Sequence, residues 1–293
     1  MPSLPELALE WLDRIKGHKV TVLGDDIVDE YIHVRPAGKS AKDNLVTFIS
    51  DGRQRWAGGA RIISQHLEAL GCEAILYTSS QAIVKTRYIE TAFNQKVFSV
   101  CDSDHLPDTG KTPLHSKHLL IADFGHRFGI LPVGGDFTSL MVQSNSLNWG
   151  FNLLTKYGHA DYVVCDEAEL RLACQHNREP IEDLMATLAR RMKVQLLAVT
   201  LGHQGAKIYV GIRPQMPYDD CLYTFPAYAH KVVDRLGAGD AFLAASAPLA
   251  AMGAPAQVVG LVGSLAAGLH VEKEGNPPLG RLEVEARLRE LLA

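Results

Sequence analysis

The chain predicts an α/β fold in which a mostly parallel sheet is flanked by helices. Three observations carry that expectation. Short β-branched runs alternate with helical patterns from the N-terminus onward. Glycines punctuate the junctions, as at Gly24-Asp25 and Gly58-Gly59. The C-terminal part then reads as three successive helices, over 239–252, 255–270 and 282–292.

The elements follow in order. Residues 19–23, Lys-Val-Thr-Val-Leu, read as a strand ending at Gly24-Asp25. After Trp56-Ala57-Gly58-Gly59, the apolar positions Ile62, Ile63, Leu67 and Leu70, with His66, share one side of a helix that stops at Gly71, a fitting C′ residue. Residues 74–77 read as the next strand. The stretch 84–100 breaks the rhythm: 86–91 and 96–100 are strand-like around a turn near Asn94, and with 46–49 they predict a small separate sheet. Residues 102–117, rich in Pro, Gly, Asp and His, read as loop. Strands resume at 118–122, 140–142 and 162–165, followed by helices over 167–175 and 180–192. Further strands are expected at 196–200, 207–210 and near Val232, and Pro248 should kink the helix that contains it. The spacers 77–85, 100–118 and 128–140 are short for crossover helices, since a parallel crossover takes about a dozen residues or more.

Composition excludes several classes. The 293 residues are 47% apolar and 21% charged, with a formal net charge of −4, which gives no reason to expect a nucleic-acid partner. No apolar run approaches the ~18 residues of a membrane span. Met1-Pro2-Ser3-Leu4-Pro5-Glu6 has neither the basic start nor the apolar stretch of a secretory leader. The five cysteines form no C-x-x-C pair and suggest free thiols in a reducing cytoplasm, not zinc. A chain of this length admits one large α/β domain or two smaller ones.

The most informative stretch is Val232-Val233-Asp234-Arg235-Leu236-Gly237-Ala238-Gly239-Asp240-Ala241-Phe242. A β-branched run ends in an acid, a Gly-Ala-Gly turn follows, and Asp240 opens an Ala- and Leu-rich helical segment. Unpaired N–H groups at the positive end of a helix suit a phosphate oxyanion, and the missing side chains of Gly237 and Gly239 let it come close. Asp240 then stands where a carboxylate can accept a proton from an attacking hydroxyl. The same residues also read as a plain tight connection from strand to helix. A dinucleotide fingerprint fails because its third small residue falls on Phe242. Walker P-loops fail at Gly38-Lys39-Ser40 and Gly110-Lys111-Thr112, whose first glycine falls on His33 and His105.

Other clusters have two readings each. Asp25, Asp26, Asp29 and Glu30 crowd together, either as polyol-binding carboxylates at a strand end or as a solvated acidic turn. Lys85 and Arg87, like Lys39 and Lys42, are either phosphate-holding cations or solvated edge-strand charges. Gln143, Asn145, Asn148 and Asn152, with Trp149 and Phe151, make a sugar-contacting surface or an amide-rich loop.

Asp234-x-x-Gly237-Ala238-Gly239-Asp240, in its strand–turn–helix setting, resembles the C-terminal signature of the ribokinase-like, or PfkB, carbohydrate kinases. The resemblance spans 20–292 and looks closest to the heptose-phosphate kinase branch. It implies a single 1–293 domain, a three-layer ribokinase-like sandwich with a small β lid from segments near 31–50 and 84–100. It also implies an ATP- and Mg²⁺-dependent kinase acting on a hydroxyl of a sugar or sugar phosphate. On that resemblance Asp240 is the base and Gly237, Ala238 and Gly239 form the anion hole. Asp25, Asp29, Gly58, Gly59, Lys85 and Arg87 bind substrate. Thr200, Gly202, Gly205, Asp234 and Asn276 bind the nucleotide, and Asp166 and Glu169, standing where the family has Asn-x-x-Glu, position the metal. Dimerisation through the lid is a further expectation. The chain departs at Arg61-Ile62-Ile63-Ser64, where the family carries a substrate-binding Asn just after the glycines. That departure sustains an alternative, a sugar- or nucleotide-binding module with little turnover.

Overall fold

The computed structural model describes residues 2–79, 81–103, 115–126, 134–211 and 221–292. The helices are α1 (Leu4–Arg14), α2 (Gly59–Ala69), α3 (Glu167–Cys174), α4 (Ile181–Met192), α5 (Ala238–Ala251), α6 (Ala256–Val271) and α7 (Arg281–Glu290). The strands are β1 (Lys19–Gly24), β2 (Asp26–Lys39), β3 (Val46–Gly58), β4 (Glu73–Tyr77), β5 (Ile83–Glu90), β6 (Gln95–Asp102), β7 (Ser116–Asp123), β8 (Gly135–Val142), β9 (Tyr162–Asp166), β10 (Leu196–Thr200), β11 (Ala206–Val210) and β12 (Cys221–Phe225). Eight of them form one sheet in the order β12-β11-β10-β9-β8-β7-β1-β4. It is parallel from β10 to β4, and β11 and β12 add antiparallel at one edge.

Alternation along the strands divides the core. Val20 and Val22 of β1, with Tyr162 and Val164 of β9, pack on the side of α1, α2, α5, α6 and α7. Leu23, Val163 and Cys165 face the opposite layer, where α3 and α4 lie. Both sets are buried, as expected for parallel strands covered on two faces. Helix α5 is buried along most of its length, including Asp240, and it continues through Pro248. Among the described residues, no helix is long and apolar enough to cross a membrane.

Four strands form a second sheet in the order β3-β2-β5-β6. This lid extends beyond the expected 31–50 and 84–100, because β2 begins at Asp26 and β3 continues to Gly58. The acids at its start belong to β2, and each has a cationic partner. Asp26 takes Arg61, Asp29 takes Arg87, and Glu30 accepts from Arg55 at 2.7 Å and Thr86 at 2.9 Å. A buried carboxylate without such a partner would be strongly destabilising.

The lid also accounts for two short spacers. Between 77 and 85 and between 100 and 118 the chain passes from the main sheet into the lid and back, so no crossover is required. Between β7 and β8, the described residues 124–126 and 134 contain no helix. The expected loop over 102–117 falls largely on residues 104–114, outside the described residues. The strand expected near Val232 is absent. Val232 and Val233 are exposed, and the Val233 and Asp234 N–H groups donate to the Val271 carbonyl instead. Helix α1 has no counterpart in the strand–helix pattern read from sequence; Ser3 and Glu6 close a capping box at its start.

Candidate active site

The chain runs from β1 through the lid to β4 and then returns to β7 on the other side of β1. Such a reversal opens a crevice at the carboxyl ends of the strands, the usual ligand site of open α/β sheets. Asp25 follows β1, Asp123 ends β7, Asp166 ends β9 and Thr200 ends β10. The geometry thus gathers residues far apart in sequence onto one edge.

The Gly-Ala-Gly turn lies on that edge. Gly237 has φ +75° and caps α5 without a side-chain partner. A Cβ there would collide with Asn276 Oδ1, so glycine is required twice over, by conformation and by space. Gly237, Ala238, Gly239 and Asp240 line a cavity of about 170 Å³ together with Asp166, Glu169, Thr200 and Arg235.

Asp240 is buried, and its carboxyl is pushed up to about 8. Burial is the main cause, and the charges of Asp29 and Glu169 add to it while Lys85 opposes them. A carboxylate with this proton affinity is matched to taking a proton near neutral pH. Glu169 is also raised, first by burial and then by Asp166. Its two oxygens accept the N–H of Ser144 at 3.0 Å and of Asp166 at 2.9 Å, while Asp166 accepts the Glu169 N–H at 2.8 Å. This capping box fixes both carboxylates at the start of α3.

On the lid side, Asp25 accepts from the Phe124 N–H at 3.0 Å and the His126 N–H at 3.3 Å. Gly59 has φ +58° and a Cβ there would strike the Asp25 carbonyl; one at Gly58 would strike Asp29. Lys85 and Arg87 face Asp29 and Tyr31 across the β2–β5 register. Arg87 is taken up by Asp29, whereas Lys85 has no hydrogen bond or ion pair among the described residues and rests near the ring of Phe124. Burial lowers the Lys85 ammonium, and Asp29 partly restores it. Lys39 and Lys42 are exposed or nearly so and lie outside this cluster. Ile62 is fully buried.

The second cavity, of about 410 Å³, is lined by Thr200, Gly202, Gly205, Tyr228, Val232 and Val271 among others. Asp234 and Asn276 do not line it. Asp234 accepts from Tyr31 of the lid at 2.6 Å, from Lys96 at 3.1 Å and from the Leu236 N–H at 3.2 Å. Asn276 donates to the Ala57 carbonyl at 2.9 Å and backs Gly237. Both residues therefore join the lid to the turn. Each is close in sequence to cavity residues but directed elsewhere by contacts across the fold.

Comparisons with known proteins bear on this arrangement. Residues 140–277, just under half of the chain, match the pfkB family carbohydrate kinase. A nucleoside kinase of Methanocaldococcus jannaschii, an archaeal member of the ribokinase family, superposes with a TM-score of 0.67 at 20% identity, over 94% of this chain and 99% of its own. An Arabidopsis thaliana ribokinase complexed with ribose and ATP gives 0.64 at 15% identity, over 93% and 99%. Escherichia coli phosphofructokinase-2, in complex with substrates and products, gives 0.66 at 12% identity, over 94% and 100%. No curated protein sequence matches the chain significantly.

The fold is ribokinase-like.

In this ribokinase-like frame the structure adds Asp123, His126 and Arg235, which sequence reasoning passed over, and shows what the amide-rich segment does. Asp123 accepts from Tyr157, Lys156, Asn152 and the Gly125 N–H. Asn145 and Asn148 donate to the Phe124 carbonyl at 3.0 and 3.2 Å. The amide-rich segment thus ties the ends of β7 and β8 together, while Trp149 and Phe151 are exposed. His126 is buried, its Nε2 has no partner among the described residues, and its ring is held down to about 4 by burial and by Lys85. Arg235 lines both cavities. For Asp123 and His126 the signal in the sequence is proximity to the end of a strand, and for Arg235 it is its place inside the turn motif.

Among the described residues, no three acidic, His or Cys groups converge as a metal cage. Asp166 and Glu169 therefore fit a magnesium ion only in the form carried largely by phosphate oxygens and water, with one or two carboxylates nearby.

Proposed function

We propose that the chain is an ATP-dependent kinase that transfers a phosphoryl group to a hydroxyl of a sugar or sugar phosphate. The observation that carries this reading is Asp240, a buried carboxylate raised to about 8 at the start of α5 and lining a cavity with the Gly-Ala-Gly turn. In this reading Asp240 takes the proton of the attacking hydroxyl, and the Gly237, Ala238 and Gly239 N–H groups receive charge on the transferring phosphoryl. The base and ribose occupy the larger cavity beside Thr200, Gly202 and Gly205, and the phosphates extend into the smaller one. Magnesium, when bound, would neutralise phosphate charge, with Asp166 and Glu169 orienting its water ligands. In this reading Asp234 and Asn276, which the resemblance places at the nucleotide, hold the turn.

Asp25 and Asp29 orient the sugar between the strand edge and the lid. The half-buried Lys85, without a hydrogen bond or ion pair among the described residues, supports an acceptor that carries an anionic group, such as a sugar phosphate; the heptose-phosphate class is one candidate. The match over residues 140–277 and the ribose- and ATP-bound ribokinase-like relative support the same reaction class. Exposed Val46, Ile49, Phe98 and Val100 on the lid strands support a homodimer through the lid. A monomer mass unchanged on concentration would refute the dimer.

The reading is tested by ADP release with Mg²⁺ across neutral sugars and sugar phosphates, beside Asp240→Asn. Sugar-dependent release that is lost in the variant is the expected result. Binding of ATP or a sugar without any turnover would instead favour the binding-module alternative, which buried Ile62 at the departing position supports.

A further inference from the structure

The smaller cavity is electrostatically lopsided. Three carboxyl groups line it, those of Asp166, Glu169 and Asp240, and among the described residues Arg235 is its only Lys or Arg. A polyphosphate entering that space meets the Asp166 carboxylate and, whenever Glu169 and Asp240 give up their raised protons, like charge on two further sides, and at short range in a partly buried site such repulsion is costly. The anion turn offsets some of it through backbone dipoles, which carry only partial charge. A full positive charge is needed as well, and Arg235 is where the fold puts one.

Its position is specific. Arg235 also lines the larger cavity, so it stands at the junction that a phosphate chain must pass between the two. The backbone on either side is fixed. Asp234 is held by Tyr31 and Lys96, and the Leu236 carbonyl accepts from His270 Nε2 at 2.9 Å. The guanidinium itself has no hydrogen bond or ion pair among the described residues. Arg55, Arg61 and Arg87, by contrast, are each committed to a carboxylate. An uncommitted Arg on a braced loop at the mouth of an anion turn has the planar donor fork that phosphate oxygens accept.

We propose that Arg235 binds the polyphosphate of the nucleotide where the two cavities meet, supplying the full positive charge that the carboxyl-lined cavity otherwise lacks. The assignment rests on the kinase reading. Contact with the bridging region also lets Arg235 stabilise charge that develops on the leaving diphosphate, so both binding and turnover depend on it.

Calorimetric titration of adenosine and of ADP into wild type, Arg235→Gln and Arg235→Lys tests this without requiring turnover. Loss of the charged fork should weaken ADP binding about ten- to a hundredfold in Arg235→Gln while adenosine affinity stays within about twofold, with Arg235→Lys between. Adenosine serves as the internal check that each variant is folded. The KM for ATP should rise in parallel while the KM for the sugar stays constant. Equal ADP affinity in wild type and Arg235→Gln overturns the assignment, as does a parallel loss of adenosine and ADP binding. A wild-type chain that binds neither adenosine nor ADP overturns the nucleotide reading itself, and this assignment with it.

Discussion

Two aspartates flank the same glycine turn and are held in opposite electrostatic states. Asp240, on its helical side, is buried beside Asp29 and Glu169, and its carboxyl is raised to about 8. Asp234, on its loop side, is also pushed upward by burial, but Tyr31, the Leu236 N–H and Lys96 outweigh that and hold it below the usual carboxylate range. One acid is kept hungry for a proton and the other is kept charged. The difference shows how three small residues can separate two environments: burial gives Asp240 a proton affinity suited to reaction, and donors tie Asp234, and with it the turn, to the lid.

The largest effect should come from removing the reactive partner. Asp240→Asn keeps the shape of the side chain but cannot take a proton. On the kinase reading kcat should fall by about 10²- to 10⁴-fold, with nucleotide and sugar affinities little changed. Steady-state kinetics beside calorimetric binding checks this. Asp234→Asn, which leaves the base intact, should not approach that loss. If the two variants lose turnover equally, the separation of roles is wrong.

The pH dependence should separate the two acids next. The folded chain holds a proton on Asp240 at pH values where an unfolded Asp, at about 3.9, has released it. Its stabilising contribution is therefore present below about 4 and lost as pH rises toward about 8. Asp234 behaves in reverse: its contribution is present above about 3.9 and lost as pH falls through its lower folded value. Melting temperatures of wild type, Asp240→Asn and Asp234→Asn across pH should show Asp240→Asn gaining on wild type as pH rises through the neutral range. Asp234→Asn should lag at neutral pH and converge with wild type in acid. The kcat/KM profile of the wild type should rise with pH on a limb near 8, and Asp234→Asn should keep that limb. A flat profile would remove Asp240 as the titrating base.

The sequence disclosed one of these aspartates better than the other. The Gly237-Ala238-Gly239-Asp240 turn is local, so spacing alone places Asp240 at the start of a helix, and α5 begins there. Strands β1, β9 and β10 were equally legible, because buried parallel strands read as short apolar runs. The setting of Asp234 depends on Tyr31 and Lys96, far away in the chain, and no local pattern carries that information. The same holds for Asn276 and Ala57. In the lid, Asp26, Asp29 and Glu30 look like a solvated turn until Arg61, Arg87 and Arg55 are brought beside them. Val232-Val233 has the composition of a strand, but its hydrogen bonds go to the end of α6 and not to a sheet neighbour. Helix α1 was the exception, since Ser3-x-x-Glu6 was a local signal that strand–helix alternation did not use.

A middle-sized effect is expected when Asp234 loses its charge. Asp234→Asn keeps a carbonyl for the Leu236 N–H but weakens its bonds to the Tyr31 hydroxyl and removes the ion pair to Lys96. The stability loss at neutral pH should be about 1–3 kcal/mol, the range for disturbing a partly buried hydrogen-bonded charge. Denaturant unfolding measures it. Because Tyr31 also packs edge-on against Trp56, whose ring closes on Gly275, the loosening should spread to the lid. Faster amide exchange in β2 and β3 would show that spread, and unchanged exchange there would confine Asp234 to the turn.

Lys96→Met should have the smallest effect, and it sharpens the comparison most narrowly. Lys96 reaches Asp234 at 3.1 Å but is itself half-exposed, so solvent screens the pair. Its loss should cost about 0–1 kcal/mol, less than the Tyr31 bond, which is shorter and sheltered. Lys96 also lies over the ring of Tyr31, and a methionine keeps much of that apolar contact while deleting the charge. Any residual effect therefore reports charge alone. If Asp234 is held low chiefly by hydrogen bonds, Lys96→Met should leave the acid limb of stability almost where it was, and Tyr31→Phe should move it upward. Should Lys96→Met move that limb as far as Tyr31→Phe does, the brace is an ion pair first and a hydrogen bond second, and raised salt should then loosen the lid.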